Sequence, residues 1–322
     1  MPFSISRREF LAASAAVTSA IATSNRVLAE PLKTELHKSL IGTPGEGTFK
    51  SWKAAGFEGM ESTAWNASPA DAAKARQLAE KNGMRIHSVM RAWINLNSSN
   101  AGSVTNDLAS VETALHAAQG YGAEAILLVP CRIGGMPIPE AWEFNIKFDP
   151  QTGHLAQVVD GDNSKYQAYI DSHDHSTDAS RQALKKVIST AERTGVVIAL
   201  ENVWNNLWVK PDLFANFVAS FRSPWIQAYY DIGNHVKYAP SEQWIRALGN
   251  LIVKCHVKDF KLNPNGQGGD WADIRDGSVN WPLVCKELDA IGRNDIWMTI
   301  EGSGGLSLEE RSKRLDLIIA GK

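Results

Sequence analysis

The sequence contains little cysteine. Its 322 residues include only Cys131, Cys255 and Cys285. An odd and low number of cysteines is not the pattern of a disulfide framework, even in an exported protein. We therefore predict that the three cysteines are small buried side chains, and that a hydrophobic core holds the fold together.

The sequence also lacks a strong excess of either charge and a long apolar run. The formal net charge of −2 at pH 7 argues against a nucleic-acid partner or an anionic membrane surface. Beyond residue 30 no stretch approaches the ~20 apolar residues of a transmembrane helix, so we expect no stable membrane insertion. A dinucleotide fingerprint is missing too, because Gly42-Thr43-Pro44-Gly45 lacks the G-x-G-x-x-G spacing.

Residues 1–29 have the layout of a twin-arginine export signal. Arg7-Arg8 is followed by Glu-Phe-Leu, by a mild apolar stretch over 11–22 and by small residues at 27–29. The alternatives are an amphipathic helix or a short membrane anchor, but the apolar stretch is too short and weak to span a bilayer. We predict a periplasmic or otherwise exported protein that uses the twin-arginine export machinery, with a single catalytic domain over 30–322.

Short apolar strands alternate with helical segments along this domain. The strand pattern predicts eight strands, at 36–41, 57–61, 85–90, 125–130, 196–201, 226–231, 251–257 and 296–301. Eight such units in about 290 residues are typical of a closed parallel barrel rather than an open doubly wound sheet. We therefore predict an α/β fold, a (β/α)₈ TIM barrel.

The alternation stops after the fourth strand. Residues 131–177 are rich in Gly, Pro, Asp, Asn and His and show little periodicity, which is typical of a lid or a mobile surface loop. We predict a lid-like insert here and a helix over 178–194. His173-Asp174-His175 resembles a metal motif in composition, but we expect a solvated loop because nothing rigid would hold these side chains.

Four of the predicted strands end in residues that can bind a metal. They are Glu201, Asp231, His256 and Glu301. Because the C-terminal ends of barrel strands meet at one mouth, we expect these side chains to converge. A single glutamate at a strand end is ordinarily just solvated, but four suitable residues predict one divalent metal ion. The mostly hard ligand set suits Mn²⁺ best, with Mg²⁺ or Co²⁺ as alternatives, rather than a structural zinc.

The two glutamates also suggest chemistry. Glu201 and Glu301 come from the fifth and eighth predicted strands and could approach a substrate from different sides. One carboxylate could remove a proton next to a carbonyl while the other returns a proton to the opposite face. This arrangement indicates an isomerase or epimerase acting through an enediolate. A lyase or hydrolase of an oxidised (3-keto) glycoside would use the same residues.

Several segments, taken together and in order, resemble one known family. They are 56–61, 199–205, 230–234, 256–259, 276–281 and 300–301. The sequence resembles the xylose-isomerase-like TIM-barrel family of sugar isomerases and epimerases, which includes ketose 3-epimerases and relatives of endonuclease IV. The resemblance implies that Glu201, Asp231, His256 and Glu301 bind the metal, and that Glu201 and Glu301 are also the acid/base pair. It implies a small-molecule carbohydrate substrate and the option of a homo-oligomer.

The sequence departs from the family pattern in two places. Asn234 stands where some epimerases of unphosphorylated ketoses carry a histidine, and Asp276-Gly277-Ser278 replaces the usual Gly-Glu-Gly. The predicted export signal nevertheless favours an unphosphorylated sugar or sugar derivative. A phosphodiesterase like endonuclease IV is disfavoured because it needs more histidines at the mouth, and retention of both glutamates weakens the case for a non-catalytic sugar-binding protein.

Six further residues are candidates for contact with the substrate. Lys258 lies two residues beyond His256, so strand alternation directs it to the same side; the alternative is a surface lysine paired with Asp259. Glu61 and His87 lie near other strand ends, where they would touch substrate or hold a ligand in place, although a core position is the stronger expectation for His87. The sugar-facing wall is predicted to include Asn202, Trp204 and Asn234.

Overall fold

A computed structural model of the chain describes residues 32–322. The predicted twin-arginine signal therefore lies outside the described residues and stays a prediction. No helix in the described part has the length and apolarity required to cross a membrane. All three cysteines fall within it, and each is buried and free, as predicted.

The strands of the structure form a closed barrel and two small hairpins. In chain order the strands are β1 (Glu35–Gly42), β2 (Gly59–Ser62), β3 (Arg85–Trp93), β4 (Ala125–Val129), β5 (Lys147–Phe148), β6 (Leu155–Gln157), β7 (Val197–Glu201), β8 (Ile226–Asp231), β9 (Ile252–Val257), β10 (Asp259–Leu262), β11 (Gly269–Ala272) and β12 (Asp295–Ile300). The barrel closes in the order β1-β12-β9-β8-β7-β4-β3-β2. Every pair of neighbours in it is parallel, which confirms the predicted (β/α)₈ architecture.

Helices surround the barrel. They are α1 (Glu46–Ala54), α2 (Pro69–Lys81), α3 (Ala101–Tyr121), α4 (Gln167–Leu184), α5 (Ile188–Thr194), α6 (Pro211–Ala219), α7 (Ser241–Leu248), α8 (Trp281–Ala290) and α9 (Leu308–Ile319). Local sequence explains their ends. The Ser68 side chain accepts a hydrogen bond from the backbone of Asp71 at the start of α2, and Gly195 ends α5 in a left-handed conformation that favours glycine.

The segment after the fourth strand differs from the prediction. Its irregular part contains the small β5–β6 hairpin, and helix α4 begins at Gln167 rather than at 178. His173 is fully buried on the inner face of this helix, between Tyr169 and Trp208. The expectation of a solvated loop around His173 was therefore wrong. The helical stripe was hard to recognise because small polar residues such as Ser176 and Ser180 occupy buried positions on it.

The inside of the barrel changes in character from one end to the other. An apolar cluster in the interior contains Ala125, Leu127, Val129, Ala199 and Tyr229. At the N-terminal ends of the strands, buried Lys254 forms an ion pair with Glu124. The C-terminal ends of β7, β8, β9 and β12 carry the residues that the sequence predicts to bind a metal.

Candidate active site

The four predicted ligands converge at the mouth of the barrel. Glu201 and Asp231 are the last residues of β7 and β8, His256 lies one residue before the end of β9, and Glu301 directly follows β12. The strand register places Asp231 level with His256. One ligand atom from each of the four residues lies within 4.8 Å of the other three. This set of four is called the acidic cluster below.

His256 is the centre of the acidic cluster. Its Nδ1 atom lies 3.1 Å from Glu201 Oε1, 3.1 Å from Glu301 Oε2 and 3.9 Å from Asp231 Oδ2. Its Nε2 atom lies 2.6 Å from Glu61 Oε2. With Nε2–H donating to Glu61, Nδ1 is directed at the three carboxylates. A carboxylate behind a histidine in this way fixes the ring orientation and the tautomer of a metal ligand.

Glu61 is held in that position by the barrel itself. The side chain is fully buried, and one of its oxygens accepts a hydrogen bond of 2.9 Å from Ser88 Oγ. The structure therefore places Glu61 behind His256 and away from the open mouth. Of the two roles considered for it, direct contact with substrate and support of a ligand, this geometry corresponds to the second.

The acidic cluster holds more negative charge than its neighbours can balance. Burial raises the pKa of Asp231 to about 7 and also raises the pKa of Glu201. Burial alone would raise the pKa of Glu301 too, but His256 and Lys258 hold that pKa below its ordinary value. Asp231 Oδ2 and Glu301 Oε2 are buried without a hydrogen-bond partner of good geometry among residues 32–322. Carboxylates forced together in this way require a cation or must protonate.

A divalent cation fits this donor set. Three carboxylates and one imidazole are ligands that Mn²⁺, Mg²⁺ and Co²⁺ accept. The two unpartnered oxygens and His256 Nδ1 belong to the same small volume. The residues that would hold the ion are Glu201, Asp231, His256 and Glu301, so the structure presents the predicted ligands as a candidate metal site.

Asn202 and Asn234 brace Asp231 instead of lying free at the surface. The Asn202 side chain bonds both the backbone O and the backbone N of Asp231, at 2.8 Å and 2.7 Å. The backbone N of Asn234 donates to Asp231 Oδ1 at 2.6 Å, and its side-chain amide donates to the backbone O of Asn202 at 3.0 Å. Both asparagines are buried. Their hydrogen bonds therefore fix the position of Asp231, whereas the sequence suggested contact with the sugar.

Lys258 points into the acidic cluster, as strand alternation predicted. Its Nζ atom lies 2.9 Å from Glu301 Oε2, 3.7 Å from Asp231 Oδ2 and 3.2 Å from Asn234 Oδ1. The alternative, a surface pair with Asp259, is not what the structure contains. Asp259 turns the other way and accepts backbone hydrogen bonds, among them one of 2.9 Å from Arg275. Lys258 is therefore placed to donate to an oxygen of a bound substrate.

His87 lies in the barrel interior and not at the mouth. The side chain is fully buried and stacks on Trp297, with 4.3 Å between the ring centroids. Its Nε2 atom lies 2.8 Å from Ser39 Oγ and 3.2 Å from Thr299 Oγ1. Burial keeps the pKa of His87 well below its ordinary value. The structure thus shows a core histidine, the stronger of the two expectations, and gives it no route to the substrate.

The aromatic residue best placed to meet a sugar in addition to Trp204 is one the sequence analysis missed. Trp204 is 37% exposed, and Trp271 of strand β11 is 47% exposed, with 4.7 Å between their ring centroids. The β10–β11 hairpin was not predicted. The turn residues Asn263-Pro264-Asn265-Gly266 between two short runs containing aromatics would have been the signal for it.

The chain belongs to the xylose isomerase-like TIM barrel family, whose profile matches residues 49–315. This match covers the barrel and all four members of the acidic cluster. No curated protein sequence matches the chain significantly. The family assignment therefore rests on the profile, and it agrees with the fold and with the resemblance seen in the sequence.

Solved structures of similar fold include sugar epimerases. A D-tagatose 3-epimerase-like protein superposes with a TM-score of 0.62 and 18% identity, over 87% of this chain and 98% of the other. 3-Keto-D-glucoside 4-epimerase YcjR from E. coli gives a TM-score of 0.61 and 14% identity, over 88% and 98%. The IOLI protein, solved with a bound zinc atom, gives 0.63 and 12%, over 88% and 96%. At these identities the likeness shows a common fold.

Proposed function

We propose that this protein is a divalent-metal-dependent sugar isomerase or epimerase that transfers a proton next to a carbonyl. The main supporting observation is the convergence of two carboxylates from separate strands on one atom. Glu201 Oε1 and Glu301 Oε2 each lie 3.1 Å from His256 Nδ1. The family and the two epimerases among its structural neighbours support the same reaction class.

The protein's own groups divide the work of proton transfer. Burial raises the pKa of Glu201, whereas His256 and Lys258 hold the pKa of Glu301 down against the effect of burial. Neighbouring carboxylates with pKa values pushed apart are suited to act as acid and base. Lys258 would donate to a substrate oxygen, and the Asn202–Asp231 hydrogen bonds would keep the site rigid. A bound divalent ion would polarise the substrate carbonyl.

We propose Mn²⁺ as the ion and an unphosphorylated sugar or sugar derivative as the substrate. The hard donor set supports Mn²⁺ and suits Mg²⁺ or Co²⁺ nearly as well. The substrate follows from the predicted twin-arginine signal, since an exported protein in the periplasm would not meet the sugar phosphates of the cytoplasm. Arg7 and Arg8 are the residues on which this localisation depends.

Hydrogen exchange with solvent tests the proposed reaction. The mature protein is incubated with Mn²⁺ in D₂O and a panel of free ketoses, aldoses and 3-keto-glycosides, and products are read by NMR. We expect deuterium at one carbon next to a carbonyl, without cleavage. Glu301→Gln should lower the exchange rate by about 10²–10⁴-fold, and chelation of the metal should abolish it.

Other results would change or overturn the proposal. Release of an aglycone would replace isomerisation by a lyase or hydrolase reaction on the same site. Exchange that persists at the normal rate in Glu301→Gln would remove Glu301 from the acid/base pair. Exchange that survives complete metal removal would contradict the metal requirement. Glu124→Gln, which removes a carboxylate at the opposite end of the barrel, is the matched control and should leave the exchange rate unchanged.

A further inference from the structure

Two exposed tryptophans lie side by side next to the acidic cluster. Trp204 and Trp271, called the tryptophan pair below, are 37% and 47% exposed. Their ring centroids are 4.7 Å apart, with the planes inclined by 30°. Large apolar rings that adjoin each other on an open surface indicate a binding surface. The acid/base chemistry described above makes no use of them.

Lys258 connects the tryptophan pair to the acidic cluster. Its Nζ atom lies 4.9 Å from the ring centroid of Trp271 and 2.9 Å from Glu301 Oε2. The pair is thus separated from the proposed acid/base carboxylate by the width of one ammonium group. A molecule bound at Glu301 that extends past Lys258 would reach the face of Trp271.

The rings of the pair are held in place before any ligand binds. The indole N–H of Trp204 donates to the backbone O of Asn234, and Lys237 Nζ lies 3.5 Å from the centroid of its ring. Phe260 packs edge-on against both rings, at 5.7 Å from Trp204 and 5.3 Å from Trp271. Rings that are already fixed lose little conformational freedom when a ligand stacks on them.

The β10–β11 hairpin that carries Trp271 is itself fixed on two sides. A Cβ on Gly269 would overlap the backbone of Lys261, so glycine allows the two strands to pair closely. On the turn, Gly268 lies against the ring of Trp142, since a Cβ there would be 3.7 Å from that ring. At its root the hairpin starts from Asp259, which is buried. Trp271 therefore stands on a supported element and not on a loose loop.

We propose that the tryptophan pair binds the second ring of a glycoside whose first ring is held at the acidic cluster. This proposal rests on the proposed function, because it assumes a sugar at that cluster. The indole faces would stack on the second ring. Lys258 and Lys237, on either side of the pair, would donate hydrogen bonds to the hydroxyl groups of a ring bound there. The substrate class is therefore a glycoside or disaccharide derivative rather than a free monosaccharide.

A binding experiment with matched glycosides tests this proposal. Calorimetric titrations use the Mn²⁺-loaded wild-type protein with the methyl and phenyl β-glycosides of glucose, galactose and xylose. For at least one sugar we expect the phenyl glycoside to bind about tenfold more tightly than its methyl partner. Trp271→Ala should reduce this preference to within about twofold, and Trp271→Phe should restore part of it. Trp225→Ala, at the opposite end of the barrel directly before β8, should leave it unchanged.

The outcomes separate this proposal from the proposed function. If no phenyl glycoside is preferred by wild type, or if Trp271→Ala keeps the preference, the platform is overturned. Sedimentation of wild type and Trp271→Ala adds a second check. If wild type is a dimer, Trp271→Ala is a monomer and no preference exists, the tryptophan pair contacts a second copy instead. If the preference depends on Trp271 but solvent exchange is never seen, the platform stands and the proton-transfer proposal fails.

Discussion

Strand β9 carries a buried charged side chain towards each end, and the two surroundings differ. At the base, Lys254 pairs with Glu124, which also pairs with Arg85, so the cations match or exceed the carboxylate they face. At the mouth, His256 and Lys258 face four carboxylates, those of Glu61 and the acidic cluster. A balanced set of charges supports the fold, whereas an excess of one sign shows where a ligand of the opposite sign is missing.

Removing the carboxylate behind His256 should have the largest effect on the mouth. Glu61→Gln takes away the charge that orients His256, so we expect metal affinity to fall by about 10–100-fold. The fold should persist, because glutamine can still accept the Ser88 hydrogen bond. Isothermal titration with Mn²⁺ measures the change. Unchanged affinity would show that Glu61 does not act through the metal ligand, and Glu124→Gln at the base serves as the control.

Breaking the base should affect stability and not chemistry. Lys254→Met removes a buried ammonium, but Glu124 is half exposed and keeps Arg85 as a partner. We therefore expect the free energy of unfolding to fall by about 1–3 kcal/mol. Urea unfolding measures this loss, and kcat per folded molecule should match wild type. A large fall in kcat at full stability would mean that the two ends of the barrel are coupled.

The pH dependence of stability should reveal the excess charge at the mouth. Burial raises the pKa of Asp231 to about 7 and raises that of Glu201. Burial lowers the pKa of His256, but Glu61 and the other neighbours outweigh it and keep that pKa well above its ordinary value. Between pH 5 and 8 the metal-free folded state thus binds more protons than the unfolded chain. Without metal, its contribution to stability is present at the acidic end and is lost as pH rises.

Metal binding should reverse this trend, because the ligands must lose their protons to bind an ion. We expect the rise in Tm caused by Mn²⁺ to be larger at pH 8 than at pH 6, measured by differential scanning fluorimetry. In Asp231→Asn the pH dependence without metal should become shallower. An equal rise in Tm at both pH values would contradict the charge imbalance inferred for the mouth.

The sequence was sufficient for the barrel and its ligands because both depend on local pattern. Apolar runs followed by Glu201 or Asp231 mark strand ends, and parallel closure brings strand ends together whatever the connecting segments do. Sequence spacing could not reveal that Glu61 lies behind His256, since 195 positions separate them along the chain. Nor could it show that Asn202 spends both ends of its amide on the backbone of Asp231.

Other differences arose where local pattern was weak or misleading. Helix α4 was missed as far as residue 178 because its buried face carries Ser, Thr and His instead of aliphatic residues. Trp208 was expected in a mouth loop, yet it is buried and stacks on Phe217, with 3.8 Å between the ring centroids. The β10–β11 hairpin was missed because two strands of four residues give little periodic signal.

The root of the hairpin has a consequence for how this enzyme class diversifies. Asp259 gathers the backbone N–H groups of Phe260, Arg275 and Val279 and the indole N–H of Trp281. Gly277 lies so close that a Cβ there would overlap the carboxylate. Three of these four donors are main-chain groups, which any side chain would supply. The segment between them is therefore free to change in length and composition, so specificity can evolve as an exchangeable cassette while the reactive centre one residue away stays constant.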